Sequence, residues 1–246
     1  MAAFVIIVAG AFFAALLRRL TGFGFAMIAA PVLSLGLPPQ SMVVTVLLLQ
    51  IFLGIPAAIE FHKLVNWSVL GILLAGGVAG APLGTLLLRV APEPIMLMLI
   101  GLLICGSAVL QQFRQAKTTN ASRSGYLVVG VLSAMLGSAF ALPGPPLAIY
   151  FAKCADISLE QQRAMLINTF TLVALLAFIP AYFTDLVTWE ITLRAVALIP
   201  VLFLGGYVGE RIYRRLPQTS VQKLGLFVIF MAGSICFVRG ISALAA

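Results

Sequence analysis

"RRLTGFGFAMIAAPVL", residues 18–33, sets two adjacent arginines between long apolar stretches and then breaks the chain with Gly-Phe-Gly-Phe and a proline. A guanidinium inside an apolar run costs about 2.5–3.5 kcal/mol on the membrane-insertion scale. The pair therefore either lies outside the membrane core or has something to bind. The choice depends on how this segment, and a second broken segment at residues 125–153, enters the bilayer.

The membrane itself follows from composition. The 246 residues are 62% hydrophobic and only 9% charged, with a mean hydropathy of +1.15, whereas soluble domains carry about 25% charged residues. Several apolar runs reach the roughly 18 residues of a spanning helix, so the chain reads as an all-α polytopic membrane protein. The runs are continuous rather than alternating, which argues against a β-barrel. The apolar N-terminal stretch lacks a basic leader and a cleavage site and reads as a retained membrane segment. The net charge of +8 sits in short clusters at the ends of apolar runs, as in cytoplasmic loops, and not as a nucleic-acid surface. Cys105, Cys154 and Cys236 form no metal-like spacing, and neither a metal nor a cofactor is expected. With one histidine and no acid at a span centre, the chain lacks the constellation of a membrane-embedded enzyme. A purely structural scaffold would not need an arginine beside a broken helix.

Six full crossings can be drawn, at residues 40–61, 67–88, 93–112, 159–183, 189–213 and 218–240. Residues 2–37 and 125–153 resist this treatment, each being interrupted by Gly and Pro. The two halves, 1–112 and 125–246, joined by a linker at 113–124, also resemble one another. "GFGFAMIAAPVL" from Gly22 aligns with "GSAFALPGPPLA" from Gly137, "VVT" at Val43 with "INT" at Ile167, and Ile55-Pro56 with Ile179-Pro180. Trp67 aligns with Trp189, and "GAPLG" at Gly80 with "GGYVG" at Gly205. Duplicated halves are a common transporter architecture.

Charge decides how the halves are related. If each broken segment crosses once, the Lys and Arg residues divide evenly between the two sides. If each enters and returns, every half is a hairpin plus three crossings, and the halves are inverted. One side then collects ten cations (Lys63, Arg114, Lys117, Arg123, Lys153, Arg163, Arg211, Arg214, Arg215, Lys223) against three (Arg89, Arg194, Arg239) on the other. Cytoplasmic loops carry the excess, so the linker is cytoplasmic and both termini are extracytoplasmic. Length agrees: residues 2–37 as one helix would run about 54 Å through a core of about 30 Å. Irregular backbone at that depth is tolerated only inside protein or against a water-filled cavity, so two re-entrant tips are expected near the midplane.

The tips carry the candidate substrate-binding residues. At the first these are Arg18, Arg19, Thr21, Gly22, Phe23, Gly24 and Phe25, and at the second Ser138, Pro143, Gly144 and Pro145. Each returning half-helix would direct its N-terminus, with its unpaired N–H groups and partial positive charge, inward as an anion site. Guanidinium matches an oxyanion bidentately. Adjacent arginines do not share a helix face, so one points elsewhere. The competing reading makes both ordinary topology charges at the cytoplasmic surface. Thr45, Gln50, Asn168 and Thr169 are further polar candidates in the spans, Thr45 and Thr169 being repeat mates. The alternative for such residues, favoured for Thr171, is a bond to their own helix carbonyls. The small-residue series Gly76, Gly80, Gly84 and its counterpart Gly205, Gly209 fits close helix packing.

"TGFGFAMIAAPVL", "GVAGAPLGTLLL" and "LPGPPLAIYFAKCADISLEQQRAML" together resemble the sulfite exporter TauE/SafE family over nearly the whole chain. Many members carry a glycine run where this chain alternates Phe23 and Phe25, and a more glycine-rich approach where it has Ser138-Ala139. The resemblance implies export of sulfite, sulfonates or related anions from a bacterial inner membrane, with a small anion and the lipid bilayer as partners. An anion channel, or a transporter of another small organic anion such as a carboxylate, is the alternative. A homodimer is left open. An interior-negative potential favours anion exit by about 2.3 kcal/mol per charge per 100 mV, so no acidic proton relay is required.

Overall fold

The computed structural model describes residues 2–21, 25–112, 122–154, 158–213 and 218–245. The expected linker at 113–124 falls largely outside them. Among the described residues the fold is helical throughout: α1 Ala2–Thr21, α2 Phe25–Leu33, α3 Pro39–Phe61, α4 Trp67–Val90, α5 Glu93–Gln112, α6 Arg123–Phe140, α7 Gly144–Lys153, α8 Leu159–Phe183, α9 Trp189–Tyr213 and α10 Gln218–Ala245. A 3-10 turn, His62–Leu64, follows α3.

Seven of these helices are long and apolar enough to cross a membrane: α3, α4, α5, α6, α8, α9 and α10. The addition to the six drawn from sequence is α6. Residues 125–153 are too short for two crossings, yet they are not shared equally. α6 takes 18 residues, about 27 Å, and α7 only 10, about 15 Å. The first broken segment divides in the same way, into 20 residues of α1 and 9 of α2.

Each short arm folds back on its long arm. Val32 near the end of α2 lies against Gly10 of α1, in the space a Cβ there would need. Tyr150 on α7 returns to the start of α6. Its hydroxyl donates to Ser122 O at 3.3 Å and accepts from Ser122 N–H at 3.2 Å, and its ring meets Tyr126 edge-on at 5.2 Å. These contacts tie α7 to the first turn of α6.

The helices group into two compact units, one of Met1–Val46, Ala91–Leu110 and Thr188–Ala246, the other of Leu47–Val90 and Gln111–Val187. In the first, α9 packs on α1 and α10 on α2. α2 is buried along almost its whole length. Its C-terminal carbonyl end is held by Arg239 of α10, whose Nη1 donates to Ser34 O at 2.7 Å, a favourable place for a cation.

In the second unit α4 packs on α6 through glycine. A Cβ on Gly76, Gly80 or Gly84 would strike the carbonyl oxygens of Leu127, Val131 and Met135 respectively. Gly130 of α6 meets Leu73 O in return. Without a hydrophobic drive between helices in lipid, association rests on such close backbone approach. In the first unit Gly205 of α9 meets Phe12 O of α1 in the same manner.

Candidate functional site

The second hairpin tip is fully enclosed: Phe140, Ala141 and Leu142 are buried at 2%, 0% and 1% exposure. α6 ends there in a left-handed αL cap. Ala141 N–H donates to Gly137 O (2.9 Å) and Leu142 N–H to Leu136 O (3.2 Å). The motif places Ala141 at φ 58°, ψ 23°, the left-handed region that glycine usually fills. An L-residue there costs about 1–2 kcal/mol. Ala141→Gly should therefore raise the melting temperature of purified protein; a lower one would mean the alanine methyl contributes packing that outweighs the strain.

α7 then starts over Pro143, Gly144, Pro145 and Pro146. Four N–H groups at a helix start have no intrahelical acceptor. Proline removes three of them here, leaving that of Gly144. In an enclosed place an unmet N–H costs several kcal/mol, so the prolines fit burial, but they also thin out the amide donors expected of an anion-binding helix start.

A side chain of α3 bonds to this tip, and a stripe of α8 packs along the two helices that flank it. Gln50 of α3 donates its Nε2 to Ala141 O at 3.1 Å. Its Oε1 is buried and has no hydrogen-bond partner among the described residues. On α8, Met165, Thr169 and Val173 stand four apart and so share one stripe. Met165 packs in a cluster with Leu147 and Phe151 of α7, and Val173 covers Gly137. Thr169 lies between them on the face turned to the hairpin, at 0% exposure, its hydroxyl likewise unpartnered among the described residues. Buried polar atoms are nearly always bonded, and an unmet one costs about 1–3 kcal/mol.

The other candidates divide by what their polar atoms do. Thr45 donates to Ser41 O at 2.7 Å and Thr171 to Ile167 O at 2.8 Å. Thr171 also fills the space beside Gly54. Thr45 and Thr169, which the sequence alignment pairs, therefore differ, one bonded back to its own helix and the other unpartnered among the described residues. Asn168, at 3% exposure, donates Nδ2 to Ala164 O at 2.9 Å, which occupies part of its amide. Ser138 sets its Cβ against Gly84 of α4; its hydroxyl, and that of Ser133, are buried and unpartnered among the described residues. Ser133 and Ala141 are not among the residues that the sequence singles out. Neither residue type stands out in an apolar helix, and only the tertiary setting marks them.

At the first tip Phe25 opens α2 and is buried, and Arg18 is half-buried in the last turn of α1. The side chains of Arg19 and Thr21, and the whole of Gly22, Phe23 and Gly24, lie outside the described residues.

The chain has no match among curated proteins and none among solved structures. The profile of the family described as sulfite exporter TauE/SafE matches residues 7–235, from the long arm of the first hairpin into α10. With nearly its whole length matched, the chain belongs to the sulfite exporter TauE/SafE family of membrane transporters.

Proposed function

We propose that the chain exports a small sulfur-containing oxyanion, sulfite or a sulfonate such as sulfoacetate, by alternating access. The observation that carries the reading is the second tip: a helix broken inside protein, with two buried polar atoms, Gln50 Oε1 and Thr169 Oγ1, unpartnered among the described residues. A break of purely structural purpose would be expected to satisfy them. In this reading Gly144 N–H, Thr169 and the remaining amide capacity of Asn168 and Gln50 contact the solute at the second tip. Arg18 or Arg19 supplies positive charge at the first.

Inverted repeats fit the packing. The sequence mates Gly80 and Gly205 each meet a carbonyl on the long arm of a hairpin. Tyr150 beside Ser122 supports a hairpin that returns to its starting side. Ten cations against three then put the residues around 113–124 in the cytoplasm and both termini outside, in a bacterial inner membrane.

The test is efflux from proteoliposomes loaded with labelled sulfite, sulfoacetate or sulfate. Saturable flux of sulfite or sulfoacetate is expected. Flux that stays linear in concentration would replace the transporter with a channel. Flux of carboxylates alone would replace the substrate class, and flux of none of these solutes would overturn the proposal.

A further inference from the structure

The polar inventory of the second tip goes further than a generic anion site. A fully deprotonated oxyanion presents only lone pairs and needs donors. Three of the four donor positions at the start of α7 are proline, so the main chain offers one N–H, that of Gly144. Gln50 offers one spare N–H and an acceptor, since only one of its two Nε2 hydrogens is taken. Its Nε2 is bound to Ala141 O, and a carbonyl can only accept, so the amide cannot be turned the other way round. Oε1 is thereby committed as a buried acceptor without a partner among the described residues. Lone pairs of a solute placed against it would be repelled. The hydroxyl of Thr169, buried on the α8 stripe that faces the hairpin, serves either way. The described groups thus combine as donors the N–H of Gly144 and the spare amide N–H groups of Gln50 and Asn168, one committed acceptor in Gln50 Oε1, and a hydroxyl that adapts.

Resting on the transport reading above, we propose that this site selects an oxyanion that carries its own hydrogen-bond donor, a bound proton or a hydroxyl, over one that carries none. For sulfite the selected species is hydrogensulfite, whose O–H meets Gln50 Oε1 while its other oxygens take the N–H of Gly144 and the hydroxyl of Thr169. The exported ion then takes a proton with it. A pH gradient would act on flux through the solute, without a carboxylate in the middle of any span.

Two sulfonates of similar size separate this from simple anion binding: 2-hydroxyethanesulfonate, which has a donor, and ethanesulfonate, which has none. Each competes against labelled sulfite in proteoliposomes holding the full chain. The hydroxyl compound is expected to inhibit at roughly 5- to 100-fold lower concentration, the range for supplying a partner to a buried unmet group. In Gln50→Met the ratio of the two inhibition constants should fall toward one. Equal inhibition in the wild-type protein, or a preference that persists in Gln50→Met, overturns the inference while sulfite transport stands. Absence of saturable sulfite flux in the wild type overturns the transport reading and this inference with it. Should Gln50→Met fail to yield folded protein, the wild-type comparison decides alone.

Discussion

Alanine at Gly80 is expected to abolish recovery of monodisperse protein in detergent, while alanine at Gly206 or Gly71 leaves it intact. The difference is one methyl group and what it meets. At Gly80 a Cβ would run into the carbonyl oxygen of Val131 and lie 2.9–3.0 Å from Val131 C and Cα. These are main-chain atoms of a packed helix and cannot turn aside as a side chain would. Overpacking costs about 1–3 kcal/mol and more where backbone must move. The contact also recurs on successive turns of α4, with Gly76 against Leu127 and Gly84 against Met135, so one methyl would pry apart the whole α4–α6 seam. At Gly206 and Gly71 a Cβ would meet nothing within 4 Å, and glycine to alanine in an open helix position gains about 0.5–1 kcal/mol. Gly205→Ala, one residue away from Gly206, should behave like Gly80→Ala because Phe12 O stands in its way. If Gly80→Ala melts at the wild-type temperature, α4 and α6 do not approach as described.

These glycines also show where sequence reading stopped. Their spacing of four marked a packing face, but nothing in the linear chain says that α4 packs on α6 and α9 on α1. That pairing depends on which surfaces the assembled helices leave open. The spans were legible because an apolar run of helical length has few other uses, and the interruptions were legible as clusters of Gly and Pro. The location of the break within the second hairpin was not. Gly130 and Gly137 look like breaks and are packing positions inside α6, whereas the turn itself falls on Ala141, a residue with no intrinsic preference for its left-handed backbone. Gln50 could be singled out as a polar side chain in an apolar span. Its anchoring to Ala141, which turns its oxygen into a committed acceptor, is a contact across 91 positions of sequence and has no local signature. Thr45 and Thr169 were equivalent by alignment, and only the hydrogen bonds distinguish them.

Arg18 and Arg239 are both half-buried arginines, and their substitutions are expected to read out differently. Arg239 has an identified structural task, donating to Ser34 O at the end of α2, where Ser34 Oγ also donates back to Pro31 O. Arg239→Gln is therefore expected to lower the melting temperature while leaving sulfite flux per folded molecule near wild type. Arg18 stands in the last turn of α1, three residues before the described chain reaches Thr21 and the Gly-Phe-Gly break. Favourable interaction with the helix dipole at that end is worth only about 0.3–1 kcal/mol. Removing one partner of a charged contact to a bound anion costs about 2–5 kcal/mol. Arg18→Gln should then reduce flux per folded molecule by roughly 30-fold or more, and Arg18→Lys should fall between, keeping the charge but losing the planar fork. Wild-type flux in Arg18→Gln would assign this arginine to helix termination and membrane orientation and would leave the positive charge of the site to be found elsewhere in the chain.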